Sequence, residues 1–540
     1  MAGAAVLAAA ALLPACGGSE PEAPAPVEPA ENERTGRPLR PVLASKLAEF
    51  GVEARTGEEL ARELRSNEGL LAADRDPATP EAVGATDAAQ PDEASAPPPV
   101  EEPALDPELV EMCDGLAAMV ARDPRQLRLA RADVENLAED MVPVLVAALS
   151  DEARSADELR VLADLAAAAP DARLARTIGR LAAEHEEPWL RRHAAWSLLP
   201  HASAEGADGV VPLLVWRLKY ERDPEAPVWI AAALAAFKSY AGLSPLFDRT
   251  GRAAGDPVGD AARGQLASIV AASGAADASA LWSDWTSGSA GRDDGASPAL
   301  RGELWRFVAD LSGEHFQLRG VDDARYVLSR LGPWAGRELA EALEDEDPYV
   351  RLHVAQCLER MGRRGLHATA SLAAALDDRD DAVAGAAAEA LVAVAGPDAL
   401  QPLLDRLDRK PPHEVRVALV RALGRVPEVA PLDRLQEVFE GASAIVDLRL
   451  AAAEGLVRGG RAEAVLPWLP EALVDRFGDP AGAEALAEVW LRDAGNAPPL
   501  QALRQGWTAL APPAAVIHTA EQVKERRAAR AELLRTFVAS

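Results

Sequence analysis

Cysteine is scarce in this chain: three residues in 540, at Cys16, Cys113 and Cys357. That excludes a disulfide framework and a cysteine zinc cluster. Aromatic residues make up only 4%, and lysine supplies five of the 56 basic side chains, at Lys46, Lys219, Lys238, Lys410 and Lys524. No HExxH, no CxxC, no nucleophile elbow and no glycine-rich phosphate loop occurs, and no alternating strand pattern is evident. Net positive charge is absent too. The formal charge is −30 with a pI near 4.7, a balance that repels phosphate backbones, so no nucleic-acid partner is expected. What is abundant is Ala, Leu, Arg and Glu, the composition of helices.

Residues 2–13 (AGAAVLAAAALL) are apolar and uncharged, about half a bilayer-spanning length. Leu13-Pro14-Ala15-Cys16 follows, then an abrupt change to GGSEPEAPAPVEPAENE. An apolar run ending in small residues reads as a secretion signal rather than a structural helix. The four residues resemble the lipobox of bacterial lipoproteins, although no Lys or Arg precedes the apolar run. The resemblance implies cleavage before Cys16, lipidation of its sulfur and attachment to the bacterial cell envelope. Gly17 in place of Asp favours the outer membrane or the periplasmic face within that family.

Residues 17–40 then read as a disordered tether, 41–75 as a short helical segment of two helices, and 76–106 as an acidic Pro/Ala-rich linker. From residue 107 the chain repeats. Val350, Val383, Val415 and Leu448 fall in one column at spacings of 33, 32 and 33. Ala355, Ala388, Val420 and Ala453 follow five residues later, and Leu358, Leu391, Leu423 and Leu456 eight later. These offsets place one apolar stripe on a helix, with a small middle residue that admits a neighbouring helix. A second apolar helix follows each, and paired helices at a period in the thirties make an α-solenoid.

The segment Asp347-Pro348-Tyr349-Val350-Arg351, with Ala355, Leu358 and Gly362, resembles HEAT repeats in their short bacterial form. Asp347 suits a helix cap, Pro348 the first helical position, and Arg351 a bridge to the adjacent unit. Arg416 and Arg449 hold the arginine place again, whereas Ala384 interrupts it. Leu190, Ala195 and Leu198 fit the same columns upstream. The resemblance implies an all-α, armadillo-like superhelix over 107–518, with an irregular Trp-rich centre at about 240–335. A capping helix over 519–540 is expected to open on a Thr519 to Gln522 capping box.

Candidate chemistry is thin. His185, His193 and His201 are eight apart, but Pro188 and Pro200 keep them off one face. His353 is expected on the exposed side of its helix and Cys357 in the core. Glu344–Asp347 and Asp377–Asp381 read as solvated turns that cap helices, without the spacing of a calcium loop. Most of the eleven Trp residues should be core. No catalytic residue, metal, cofactor or small-molecule substrate is expected. The second helices carry mixed charge, at Asp405, Arg406, Asp408, Arg409, Asp433, Arg434 and Glu437. The expected function is a membrane-anchored scaffold that binds a protein or peptide on a concave surface, reversibly and through polar contacts. A similarity of short HEAT repeats to phycobilin lyases implies a lyase-like accessory role as an alternative, and a purely structural envelope protein is another.

Overall fold

The structure, a computed structural model, describes residues 42–50 and 105–539, apart from 292–295, 313–317, 427–430, 443–445, 475–478, 494–497 and 511–519. Cys16, both halves of the N-terminal signal and tether, the second helix expected near Leu60 and Thr519 lie outside the described residues. Helices α1 (Val42–Glu49), α2 (Pro107–Arg122), α3 (Leu127–Asn136), α4 (Ala138–Leu149), α5 (Ala156–Ala166), α6 (Ala172–Glu184), α7 (Pro188–Ser197), α8 (Val211–Tyr220) and α9 (Ala226–Ala236) come first. The centre holds α10 (Leu243–Thr250), α11 (Pro257–Ser273), α12 (Ala278–Ser287), α13 (Pro298–Ala309) and α14 (Leu318–Leu328). Next come α15 (Pro333–Ala342), α16 (Pro348–Met361), α17 (Thr369–Ala375), α18 (Asp381–Ala395), α19 (Leu400–Asp408), α20 (His413–Leu423), α21 (Leu432–Gly441) and α22 (Val446–Arg458). The chain ends with α23 (Leu469–Ala472), α24 (Pro480–Asp493), α25 (Pro498–Ala509) and α26 (Ala520–Ala539).

The chain is an all-α solenoid in two rows. First helices stack as α5, α7, α9 and α11, and again as α16, α18, α20, α22 and α24. The column residues Val350, Ala355, Leu358, Val415 and Leu448 are all buried between these helices. Burial of such a stripe is what holds each unit, since no unit encloses a core alone. Asp347 caps α16, its Oδ1 accepting the Tyr349 N–H at 2.9 Å, and Pro348 takes the first turn. Gly362 and Gly396 end α16 and α18 with φ of 58° and 61°, a region where a Cβ is strained.

Where α20 meets α22, the small residue at the contact is not the middle one. A Cβ at Gly424 would stand 2.5 Å from the Gly455 Cα. The two backbones therefore touch one residue past the Leu423 and one before the Leu456 positions, which a column of Ala and Val does not announce.

The centre breaks register for a structural reason. α9 stacks on to α11, but the second row does not start on α11. Instead α13 and α14 return to pack on α8, the helix between α7 and α9. Asp323 of α14 secures that joint: it accepts from Trp216 Nε1 at 3.0 Å, Lys219 Nζ at 2.5 Å and the Tyr220 hydroxyl. α10 and α12, on either side of α11 in sequence, both pack on it, with Trp285 of α12 edge-on to Tyr240 and its ring under Arg364 at 4.9 Å. Burial pushes the Arg364 guanidinium down to about 10. It is answered by the Ser329 and Leu331 carbonyls at 2.9 and 3.0 Å.

At the far end α26 packs on α23 and α25. Its basic face is not a free patch: Arg526, Arg527 and Arg530 all converge on Glu484 of α24.

Candidate interaction surface

Each unit begins with a turn whose backbone carbonyls need donors. In α16, Arg351 supplies them. Its Nη1 donates to the Asp345 and Glu346 carbonyls at 2.8 and 3.0 Å. Its Nε and Nη2 fork onto Asp378 at 2.8 Å each, 27 residues on, at the turn that opens the next unit. Arg191 of α7 repeats the arrangement. Nη1 reaches the His185 and Glu186 carbonyls at 2.8 and 2.7 Å, while Nε and Nη2 fork onto Glu221, 30 residues on. In both brackets the carboxylate also accepts the N–H two residues after it, from Asp380 and Asp223. A bidentate, fully hydrogen-bonded pair is the geometry that makes a buried charge tolerable. Burial pushes the Glu221 carboxyl up, but the fork of Arg191 and the single bond from Arg217 Nε at 2.9 Å prevail and hold it at about 2.

Asp378 corrects the expectation of a solvated acidic turn: it is buried in the bracket, while Asp380 caps α18. Arg351 is itself 0% exposed.

The other arginines of the ladder differ. Arg416 is half-buried and its Nε has no hydrogen-bond partner among the described residues. It lines a groove of about 260 Å³ with Lys410, Arg434 and Leu448. Arg449 stacks over Phe439 and Trp468 at 4.6 and 5.2 Å. At Ala384 the place is apolar and buried.

Outside the brackets runs an exposed ladder. Asp377 pairs with Arg409 at 2.8 Å, Asp408 with Arg434 at 2.6 Å, and Asp433 with Arg461 at 2.6 Å, each bridge crossing from one unit to the next. Arg409 is 60% and Asp433 90% exposed. Arg406, expected on this face, is buried instead and donates to the Leu376 carbonyl at 2.8 Å.

The remaining candidates are dispersed. His193 meets Asp164 at 3.1 Å, while His201 and His185 accept the N–H groups of Asp171 and Glu187. His353 is half-buried against Gln356 rather than on the solvent face. Cys113 and Cys357 are free and buried, and burial pushes their thiols up to about 11 and 12. Among the described residues no group of three His, Cys, Asp or Glu side chains could hold a metal. Trp305, Trp285, Trp334, Trp490 and Trp507 are core, whereas Trp196 and Trp282 are 41% and 38% exposed.

One further contact joins elements far apart in sequence. α1 lies on α13 and α15. The Leu43 N–H donates to Asp345 Oδ2 at 2.6 Å, and Lys46 Nζ meets Glu341 at 2.9 Å. Val42 and Leu47 are buried there, with Leu43 and Phe50 packed against the core.

A family model described as HEAT repeats matches residues 336–424. No curated protein matches. Among solved structures, an engineered protein is 15% identical over 78% of this chain and 99% of its own, with a TM-score of 0.22. A chain from the structure of Kap95p binding to RanGDP is 13% identical over 74% of this chain, which spans 56% of that one, with a TM-score of 0.26. Superposition at these scores carries no weight for function. The helix stacking makes this chain an α-solenoid, and its residues 336–424 match the HEAT-repeat model.

Proposed function

We propose that this chain is a non-catalytic repeat scaffold, lipid-anchored at a bacterial envelope membrane, that binds a protein or peptide partner through its exposed charge ladder. The observation that supports the binding role is the ladder itself, Asp377–Arg409, Asp408–Arg434 and Asp433–Arg461. Exposed pairs of this kind contribute only about 0–1 kcal/mol each to stability. The charges of Arg409, Asp408 and Asp433 can exchange partners at little cost, whereas Asp377 is also held by the buried Arg406 at 3.1 Å, and repeat stacking sets successive pairs one unit apart. A partner carrying alternating charge at the same pitch is the ligand that fits. The anchor is supported by Leu13-Pro14-Ala15-Cys16 and the apolar run before it.

Crosslinking and pull-down from membrane extracts tests the first half. Stoichiometric capture by the wild type, reduced several-fold by a combined Arg409→Glu, Arg434→Glu and Arg461→Glu change, is expected. Undiminished capture contradicts the ladder. Metabolic labelling with an alkyne fatty acid tests the second: labelling disappears in Cys16→Ala, and equal labelling contradicts the anchor.

A further inference from the structure

The contact between α1 and the solenoid has the construction of a ligand in a receptor. Asp345 is a buried carboxylate in the turn between α15 and α16, 2% exposed with α1 in place. Its Oδ1 accepts the Asp347 N–H at 2.9 Å and helps open α16. Its Oδ2 is turned the other way, onto the Leu43 N–H. That N–H belongs to the first turn of α1, where no carbonyl of the same helix can reach it. A carboxylate there also suits the positive end of the helix dipole. The groove thus reads a helix start.

The rest of the floor reads side chains. Lys46, one turn on, pairs with Glu341 and lies 5.9 Å from the centre of the Trp305 ring. Trp305 is fixed by its Nε1 donating to Glu338 at 2.9 Å, and Glu338 also holds Arg301. The Arg301 guanidinium in turn faces the Phe50 ring at 5.9 Å. Acid, indole and guanidinium therefore meet an apolar-basic helix with the pattern Val42, Leu43, Lys46, Leu47 and Phe50.

Eight residues are too few to sustain a helix alone in water, so α1 is folded by its groove. It is joined to the body through residues 51–106, whose later part is the acidic Pro/Ala-rich sequence. A segment that depends on its site for structure and is separated from it in sequence by residues 51–106 acts as a tethered peptide ligand.

We propose that the surface formed by α13, α15 and the Asp345 turn is a receptor site for a short apolar-basic helix, and that α1 is its cis-bound, detachable occupant. When α1 leaves, the site takes a partner helix of the same pattern, with a first-turn N–H offered to Asp345, a basic residue four positions after the first apolar one, and apolar residues five and eight after it. This site is separate from the charge ladder and does not require the ladder to bind anything.

The test uses the full chain and a fluorescent peptide of residues 39–52. In the full-length Leu47→Asp chain the cis helix is displaced, and the peptide binds with saturable anisotropy. The wild type binds it about ten-fold more weakly, because a tethered competitor acts at an effective concentration on the order of 1 mM. A peptide carrying Lys46→Glu loses about ten-fold in affinity through repulsion from Glu341. Circular dichroism and a cooperative melt check that the Leu47→Asp body is intact. The full-length Lys46→Glu chain gives the same readout if it is not. Binding to neither chain, equal binding to variant and wild type, or full affinity of the Lys46→Glu peptide each overturns the proposal. Loss of the charge-ladder partner in the pull-down leaves these outcomes unchanged.

Discussion

Arg351 and Arg416 hold the same place in their units, and their surroundings are opposite. Arg351 is sealed from solvent with two carbonyls and a forked carboxylate. Arg416 lies beside an open groove with its Nε unanswered among the described residues. The sequences of the following turns explain the contrast. Asp378 stands 27 residues after Arg351, whereas the stretch 441–445 after Arg416 reads Gly-Ala-Ser-Ala-Ile and offers no acid. Arg191 obeys the same rule through Glu221. Arg351 and Arg191 become brackets where the next turn supplies a carboxylate, but an acid at that spacing is not sufficient: Asp479 stands 30 residues after Arg449, which stacks on Phe439 and Trp468 instead.

The largest effect is expected at the bracket. Arg351→Ala leaves Asp378 buried without its counter-charge and costs about 3–5 kcal/mol in urea unfolding. Replacing both, as Arg351→Met with Asp378→Leu, restores most of that loss. The second effect is in acid. Glu221 is held at about 2 against an ordinary 4.5, so its folded value is depressed. Its contribution is complete above pH 4.5 and disappears as pH falls through about 2. The amount is roughly 3 kcal/mol, and in Glu221→Gln this part of the acid slope is missing from a pH series of melts. Third, Gly424→Ala drives a Cβ into the Gly455 backbone and costs about 1–3 kcal/mol, read as a lower urea midpoint. Smallest is Arg416→Met, within about 0.5 kcal/mol, a change that at Arg351 would be severe.

The fold could be read from the sequence because its columns are local. Val350, Ala355 and Leu358 announce a helix face within nine residues, and Gly362 announces its end. The family-model match at 336–424 falls on the same stretch. What escaped is what depends on distant partners. Asp378 sits in an acidic string that also caps a helix, and only burial separates its role from that of Asp380. Asp323 meets Trp216 from 107 residues away, and Leu43 meets Asp345 from 302. The departure at 240–335 has the same origin. Its helices are ordinary, but α13 and α14 pack on α8 instead of on the end of the preceding row. No local pattern encodes that choice.

The bracket rule is tested most directly by a double-mutant cycle at Arg351 and Asp378, using Arg351→Met, Asp378→Leu and the pair in urea unfolding. A coupling energy of about 2 kcal/mol or more is expected, near the upper end for residues in direct contact. A coupling near zero would mean that the two side chains act independently, and would contradict the account of how successive units are joined.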